Sequence, residues 1–483
     1  MPPAVPTFIL SPHWGKQFIH GRAWRASRSV WCRAGRHSLA VSGQTRRGRL
    51  QASTSTTAAA APEASAPSAS SVPLARPSYA TDALSVFRWL LEDPRTLLYA
   101  GGSSLRSGFF LALRLFNINA YARSQQFAQN SKVGTLLSQS STLSAQRNLV
   151  VFFLQQLYKL GRLEMEQVRA GVYKTPPFLA RSPWRVLPRA IDFAQDLRRG
   201  LELREQERTD AIPQAFLRDT FYPWYYKRNF HYQTDGYFSA DSARRYDFQV
   251  EVLFGGTADI MRRQALVPLL PFLRAVRSQR LAHGVGNGAR FTPGHTTDVL
   301  NVPCGAGSFL LDLLDNVASD MRLRGAHVVN VDLSPFYLRE AERRFRDDSR
   351  LRALPHVTFL HANTEQLPLE RESFDAVVSI YLFHELPDEA RRNTIAEWTR
   401  VLRPGGRVVL ADSLQAGDDP QLDATLSRFR KGYHEPFYDS YVQTDMAQLF
   451  HEASGGALKL KSQTLAFLTK VFVFEKVGVM PRQ

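Results

Sequence analysis

Cysteine is nearly absent from this sequence of 483 residues, which contains only Cys32 and Cys304. Two cysteines exclude a disulfide framework as the basis of the fold, and no cluster of cysteine and histidine has the spacing of a zinc site. The sequence therefore predicts no metal site, and it fits a reducing compartment. We expect Cys304 to be a small packing residue rather than a nucleophile.

Long apolar runs are also missing. A transmembrane helix needs roughly 20 consecutive apolar residues, whereas the nearest candidate, residues 107–118, is short and interrupted by Arg114. Such a segment is typical of a buried or surface-lying amphipathic helix. We therefore expect no transmembrane segment, and any contact with a membrane would be peripheral.

Acidic residues are almost missing from residues 1–80, which contain ten lysines and arginines and a single acid, Glu63. The whole chain has a net charge of +17, so most of the basic excess belongs to this segment and no specific nucleic-acid partner is expected. Residues 53–71 are of low complexity and could not bury enough apolar surface to offset their chain entropy. We interpret residues 1–80 as a disordered transit peptide and linker.

A basic, hydroxylated and nearly acid-free segment is typical of an organellar address. Residues 49–53, Arg-Leu-Gln-Ala-Ser, resemble a plastid processing site. We therefore predict a chloroplast or other plastid location. A mitochondrial address and a disordered tail without any address remain alternatives.

Residues 81–204 have a helical pattern, with apolar residues at spacings of three and four in 84–91 and 150–163. Four prolines mark breaks between helices; they are Pro176, Pro177, Pro183 and Pro188. No chemical motif is recognisable in this region, so packing or docking is its expected role.

Residues 205–295 begin with a dense group of aromatic side chains between 212 and 238. A helix is predicted over 239–275, interrupted near Gly255-Gly256 and Pro268, and a glycine-rich linker over 282–294. We interpret this region as a helical cap. Its aromatic residues fit either a lid over a substrate or an ordinary core.

From residue 296 onwards, strand and helix patterns alternate, which predicts an α/β domain over 296–483. The first strand, 298–302, leads into Gly305 and Gly307, which allow the backbone to approach a ligand. The next strand ends in Asp332, and Ser334 and Pro335 then open a helix. An acid at this position can accept hydrogen bonds from both hydroxyls of a ribose.

Further strands are predicted at 357–360, 373–379 and 407–411, and the glycines of Arg403-Pro404-Gly405-Gly406 would make the turn from helix back to sheet. Two runs near the C-terminus, 457–460 and 465–474, predict a hairpin that closes the sheet.

This series of motifs resembles the class I S-adenosylmethionine-dependent methyltransferases, and within them the group that includes the ubiquinone/menaquinone C-methyltransferases. The resemblance rests on the segments LNVPCGAGSFL, VVNVDLSP, ANTEQLPL, SFDAVVSIYLFHELPDEA and RVLRPGGRVVLADS. It implies a Rossmann-like sheet of seven strands, the last antiparallel, with S-adenosyl-L-methionine as cofactor. The helical N-terminal region would then act as a lid or docking domain. Upstream, Tyr246-Asp247 resembles a pair that precedes the core in the quinone group, and residues 229–263 look like uncharacterised methyltransferases of cyanobacteria and plastids.

By resemblance, nine residues form the cofactor site: Asn301, Pro303, Gly305, Gly307, Asp332, Leu333, Asn363, Thr364 and Tyr381. Three of them depart from the family pattern. The family usually has an acid at Asn301, a glycine at Pro303 and an aspartate at Asn363. These departures put cofactor affinity in doubt more than cofactor identity.

The candidate catalytic residues are His384, Glu385 and His434, any of which could serve as a base if the acceptor must lose a proton. The candidate substrate residues are Tyr232, Tyr237, Tyr433 and Glu435. A structural turn at 384–385 and a solvated loop at 434–435 are the alternatives.

The sequence thus predicts methyl transfer to a small hydrophobic aromatic acceptor, such as a quinone, pigment or lipid precursor, in a plastid. A non-catalytic protein with the same fold and a plastid RNA or protein methyltransferase remain alternatives. The sequence does not identify the acceptor, the methylated atom or the oligomeric state.

Overall fold

The computed structural model describes residues 7–9, 72–92, 94–127, 143–176, 208–283, 297–423 and 433–477, with isolated residues between 192 and 206 and at 426. Most of residues 1–80, and the linker predicted over 282–294 from residue 284 onwards, lie outside this part of the chain.

The predicted helical region contains helices α1 (Ala83–Leu90), α2 (Pro94–Phe127) and α3 (Leu143–Arg169). The Asp82 side chain caps α1 by accepting a hydrogen bond from the Ser85 N–H. No helix in the described part of the chain is long and apolar enough to cross a membrane. Buried Glu164 of α3 accepts hydrogen bonds from Tyr99 of α2 and from Arg263 further along the chain, so the helices are joined to the region that follows.

The cap region consists of four helices and two 3₁₀ turns. In chain order its elements are α4 (Gln214–Leu217), 3₁₀ turns at Trp224–Tyr226 and Phe230–Tyr232, α5 (Ala240–Leu253), α6 (Ala258–Arg263) and α7 (Leu266–His283). The predicted break at Gly255-Gly256 is confirmed, since both residues have positive φ, at 57° and 81°. The break predicted near Pro268 is also found, at residues 264–265 between α6 and α7. Pro268 itself lies in the first turn of α7, where the helix needs no N–H from it.

The C-terminal region alternates strands and helices as predicted. In chain order the elements are β3 (Thr297–Asn301), α8 (Ser308–Ser319), β4 (Ala326–Asp332), α9 (Pro335–Asp347), β5 (Val357–His361), β6 (Phe374–Ile380), a 3₁₀ turn at Phe383–Glu385, α10 (Asp388–Val401), β7 (Leu402–Ser413), α11 (Tyr438–Gln443), α12 (Met446–Ala453), β8 (Leu458–Ala466) and β9 (Thr469–Lys476). Ser334 caps α9 and Pro335 is its first residue, which confirms the start predicted for this helix.

These strands form one sheet, which also includes two short strands, β1 (Thr7–Ile9) and β2 (Leu74–Ala75). The strand order is β1-β5-β4-β3-β6-β7-β9-β8-β2. β9 runs antiparallel to β7 and β8, and the other pairs are parallel. The seven-stranded α/β sheet with an antiparallel last strand is therefore confirmed.

The two outer strands differ from the prediction, which placed no regular structure in residues 1–80. Runs of three and two residues are too short to show an alternating pattern in the sequence. Each adds to an edge of the sheet, where the backbone groups of β5 and β8 are open to pairing.

Both faces of the sheet are covered. Val299, Val378 and Val409 face a cluster with α7, α8 and α9, which contribute side chains such as Leu270, Leu310 and Leu338. The residues next to them along the same strands face the opposite side of the sheet, where they join a second cluster with Trp398 of α10 and Phe450 of α12. Strands buried on both faces explain the continuous apolar runs in the sequence. The carboxyl ends of β3, β4 and β6 are left to form a site.

Candidate active site

Two cavities lie where the sheet meets the cap. The strand-end cavity, of about 130 Å³, is lined by the residues that follow strands β3, β4, β5 and β6. The cap cavity, of about 180 Å³, is lined mainly by α5, by residues between 193 and 204, and by Tyr433 and Tyr438. Either volume is several times the space that one water molecule needs, roughly 15 Å³.

The first wall of the strand-end cavity is the loop after β3. Gly305 has φ of 54°, and its N–H donates a hydrogen bond of 2.8 Å to Oδ2 of Asp332. Pro303 also lines the cavity, as predicted. The glycine thus brings the backbone close to the acid at the end of the neighbouring strand.

Gly307 lies where two helices approach closely, and its predicted contact with the cofactor stays a prediction. It is not among the cavity-lining residues, and a Cβ there would lie 3.0 Å from the Cα and Cβ of Ala341 in α9. Its φ of 89° is also in the region that favours glycine. The residue is a glycine because α8 and α9 approach each other closely.

Asp332 is the buried acid of the strand-end cavity. Its carboxylate accepts hydrogen bonds of 2.8 Å from the N–H groups of Gly305 and Ser334. Burial raises the pKa of Asp332 to about 7, although these backbone hydrogen bonds act in the opposite direction. The site therefore has an acid that is easily neutralised and held in a fixed orientation.

Asn301 does not line either cavity within the described part of the chain. Its Nδ2 donates a hydrogen bond of 2.9 Å to Oδ1 of Asn330, its partner on β4. The side chain thus joins two strands, and its predicted contact with a cofactor stays a prediction.

The wall after β5 consists of Asn363 and Thr364, and both residues line the strand-end cavity as predicted. Asn363 Oδ1 accepts the Glu365 N–H at 3.0 Å, and Thr364 Oγ1 accepts the Trp398 Nε1–H at 2.9 Å. Leu333 also lines the cavity. These hydrogen bonds hold the polar wall in place.

Aromatic residues of the cap close the strand-end cavity, a feature that the motifs did not locate. Tyr225, Tyr226, Phe230 and Tyr237 line it together with Tyr337 of α9. The aromatic segment therefore forms a lid, and the same rings also stack on one another. Of the four predicted substrate residues, Tyr237 lines this cavity and not the cap cavity.

Asp247 fixes the cap to the sheet. It accepts hydrogen bonds from Ser308 of α8 and Arg344 of α9, which hold its pKa below the usual value although burial alone would raise it. Asp247 also lines the strand-end cavity. The Tyr-Asp pair at 246–247 was the sequence signal for this contact.

The cap cavity is mostly apolar and aromatic. Its lining includes Phe193, Tyr232, Tyr246, Val250, Val252, Leu253, Phe254, Tyr381, Leu426, Tyr433, Tyr438 and Leu468. The predicted substrate residues Tyr232 and Tyr433 both belong to it, and the Arg204 guanidinium lies over their rings at 5.6 and 4.8 Å. Such a cavity suits a hydrophobic ligand.

The two cavities meet at a junction, defined here as Tyr246, Val250 and Tyr381, which line both of them. Tyr381 has φ of 54°, and its hydroxyl lies 2.5 Å from Thr469 Oγ1. The two cavities are therefore neighbours that share these three side chains.

His384 lines the cap cavity and is oriented by Asp412. Its Nδ1 lies 2.6 Å from Oδ1 of Asp412, whose Oδ2 accepts the N–H groups of Leu382 and Phe383 at 3.0 and 2.7 Å. Burial alone would lower the pKa of His384, but the Asp412 carboxylate raises it to about 9. Since Nδ1 is bonded to Asp412, Nε2 is the nitrogen left for a ligand.

Glu385 lines the strand-end cavity, where it accepts a hydrogen bond of 2.6 Å from the Tyr237 hydroxyl. His231 lies 3.4 Å from Glu385 through Nε2 and 2.7 Å from Glu435 through Nδ1. Glu435 is 2% exposed and lines neither described cavity. Its predicted contact with a substrate stays a prediction.

His434 also lines neither described cavity. Its ring lies 5.9 Å from that of Tyr232, and burial lowers its pKa to about 4. A histidine with so low a pKa is a weak base, so His384 is the better candidate for proton transfer.

Residues 299–406 match the family model of a methyltransferase domain. An uncharacterised protein of Haemophilus influenzae is 34% identical over 28% of this chain and 48% of its own length. A demethylmenaquinone methyltransferase of Clavibacter sepedonicus is 34% identical over 22% of this chain and 42% of its own length. The chain spans less than half the length of these curated relatives.

Among solved structures, a putative S-adenosyl-L-methionine-dependent methyltransferase of Methanococcus maripaludis is 15% identical, covering 50% of this chain and 96% of its own, with a TM-score of 0.31. A SAM-dependent methyltransferase of Methanosarcina mazei is 17% identical over 39% of this chain and 95% of its own, with a TM-score of 0.29.

Proposed function

Since the C-terminal region is a methyltransferase domain of the class I type, with S-adenosylmethionine as the cofactor it implies, we propose that the chain methylates a small hydrophobic acceptor. The strand-end cavity would hold the cofactor and the cap cavity the acceptor. The observation that carries this proposal is the junction of Tyr246, Val250 and Tyr381, which line both cavities and so place the two ligands side by side.

The residues of the strand-end cavity fit S-adenosylmethionine. Asp332 would accept hydrogen bonds from the ribose hydroxyls, and the Asn363 amide can both donate and accept at the edge of an adenine. When bound, the cofactor supplies a methyl group already activated by its sulfonium. The chain therefore has to align the acceptor and exclude water, and the aromatic lid over the cavity serves the second task.

Acceptors that must lose a proton need a base at the cap cavity. His384 can take a proton at Nε2 in its neutral form, which a pKa of about 9 makes the minor form at neutral pH. Asp412 holds the ring and stabilises the imidazolium that results. The apolar lining favours an aromatic or prenylated acceptor, such as a quinone, pigment or lipid precursor. The demethylmenaquinone methyltransferases among the relatives support this class of acceptor.

We place the reaction in a plastid because of the basic, nearly acid-free N-terminal segment. Fusing residues 1–80 to a fluorescent protein tests this location. Import into plastids supports it, and accumulation in mitochondria or the cytosol contradicts it.

Isothermal titration of S-adenosylmethionine into the protein tests the cofactor site. Asp332→Ala should abolish binding, whereas Asp347→Ala should not, because Asp347 lies at the exposed end of α9. Transfer of labelled methyl groups to prenylquinones, pigments and lipid precursors then tests the acceptor. No cofactor binding by a folded sample would contradict the enzyme and favour a non-catalytic protein with this fold.

A further inference from the structure

A histidine and two glutamates from three separate segments meet beside the junction. His231 lines the cap cavity, Glu385 lines the strand-end cavity, and Glu435 is buried against His231. One ligand atom from each lies within 4.8 Å of the other two. We propose that His231, Glu385 and Glu435 form a binding site for a divalent transition-metal ion.

The spacing of the three side chains is close to what one ion requires. Bonds from zinc to imidazole nitrogen or carboxylate oxygen are about 2.0 to 2.2 Å long, so two ligands of one ion lie at most about 4.4 Å apart. The three ligand atoms now lie within 4.8 Å of one another. To bind one ion they would have to approach by only about 0.4 Å, and small rotations of the side chains achieve this. One imidazole with two carboxylates suits zinc, manganese or ferrous iron.

Glu435 supplies an independent reason for a bound cation. Its side chain is fully buried. Oε1 lies 2.7 Å from His231 Nδ1, whereas Oε2 has no hydrogen bond within the described part of the chain. A buried carboxylate oxygen without a hydrogen bond costs free energy. A divalent ion would provide the missing partner and neutralise both glutamates.

The surroundings support the three ligands. The Tyr237 hydroxyl donates to Glu385 Oε1 at 2.6 Å, and the His231 N–H donates to the His434 carbonyl at 3.4 Å, which joins two of the contributing segments. Hydrogen bonds of this kind orient metal ligands. Three protein ligands leave further positions open, and these would face the cavities.

The position gives such an ion a task in catalysis. An acceptor oxygen that entered the open position would be polarised and would lose its proton more easily. This consequence rests on the proposed function, whereas metal binding itself does not.

A proton is the rival occupant of the same site. A protonated His231 between two carboxylates would give the same contacts without any metal. The two possibilities differ in what the protein binds, so a binding experiment separates them.

The experiment uses the full chain, treated with a chelator and free of cofactor and acceptor. Cobalt(II) is titrated while its visible absorption is recorded, and zinc and manganese binding are measured by calorimetry and by metal analysis after gel filtration. We expect one equivalent per chain and a cobalt spectrum typical of mixed nitrogen and oxygen ligands. Glu435→Gln and Glu385→Gln should each weaken the affinity roughly 100-fold, since even an outer-shell change costs 10- to 100-fold. Glu389→Gln, the same change at an exposed position four residues after Glu385, should leave it unchanged.

Two results would overturn the proposal. One is a folded chain that binds none of the three metals, which would mean that His231, Glu385 and Glu435 form only ion pairs. The other is binding that survives in both folded variants, which places the metal elsewhere. Circular dichroism monitors folding, and if one variant does not fold, the other decides. Because these measurements contain no S-adenosylmethionine, failure here leaves the proposed methyl transfer untouched, and loss of cofactor binding leaves the metal site untouched.

Discussion

Asp332→Asn should change how the stability of the cofactor-free protein depends on pH. Because burial raises the pKa of Asp332 from 3.8 to about 7, the folded chain holds this proton more tightly than the unfolded chain. The resulting stabilisation is fully present below the unfolded pKa and is lost as the pH rises through the folded pKa. Asparagine does not titrate, so the variant escapes this loss.

The magnitude follows from the two pKa values. Between pH 5 and pH 8.5 the wild type should lose about 3 kcal/mol of unfolding free energy that the variant keeps. Asparagine cannot accept both backbone hydrogen bonds, from Gly305 and Ser334, and this costs about 1 to 3 kcal/mol. That cost is the same at both pH values, so it cancels from the comparison.

Urea denaturation of both proteins at pH 5, 6, 7 and 8.5 measures the effect. The free-energy curves should diverge as the pH rises, with the variant losing less stability. Parallel curves would refute the raised pKa of Asp332. Surface carboxylates are common to both proteins and do not affect the difference.

The raised pKa of Asp332 also predicts how cofactor binding depends on pH. If only the ionised carboxylate holds the ribose hydroxyls, about one tenth of the chains are competent at pH 6 and about nine tenths at pH 8. The dissociation constant for S-adenosylmethionine should therefore be about ninefold higher at pH 6. Asp332→Asn should bind more weakly and lack this component of the pH dependence, which serves as the control.

The other predictions concern the loop, the junction and the base. Gly307→Ala should lower the unfolding free energy by about 2 to 4 kcal/mol, since position 307 combines a positive φ with a close contact to Ala341. Urea denaturation measures this loss. The control is Gly417→Ala, where φ is similar but the space is open, and it should cost less than half as much. Val250→Phe should fill the junction and reduce kcat at least about tenfold, while calorimetry shows cofactor binding within about threefold of wild type. Equal losses of kcat and of cofactor affinity would contradict a passage between the cavities. His384→Asn should reduce turnover of an acceptor with an ionisable proton by about 10²- to 10⁴-fold, and full activity of this variant would exclude His384 as the base.

The sequence predicted the sheet and the strand-end cavity well because their signals are local. The strand that runs into Gly305 is one short segment, and Asp332 at the end of β4 with the helix cap Ser334 is another, so each can be recognised from neighbouring residues. The parallel order then brings the strand ends together. Pro303, Asp332, Leu333, Asn363, Thr364 and Tyr381 all line the cavity for this reason.

The contacts that the motifs did not predict depend on what lies opposite a residue in space. Gly307 faces Ala341, and Asn301 faces Asn330, and neither partner can be inferred from the motif itself. His231 and Glu435 are about two hundred residues apart in the chain and meet only in the folded structure. The cap cavity likewise combines residues from before the cap, the cap and the C-terminal region, so no stretch of sequence predicts it.

Buried charges behind the junction indicate that the N-terminal helices are part of the site. Arg106 of α2 donates to the Gly256 carbonyl at 2.7 Å and to Asp259 at 2.9 Å, and it lies 3.1 Å from Glu251. Arg262, which lines the strand-end cavity, pairs with the same two acids. Two arginines and two carboxylates balance in charge, and removing one partner from such a buried set is strongly destabilising. α2 is thus fixed to the ends of α5 and α6 just behind Val250, and α2 also contributes Asn117 to the cap cavity. Because α2 contributes to one wall of the cap cavity, the position of this helix would help to define which acceptor the proposed site can hold.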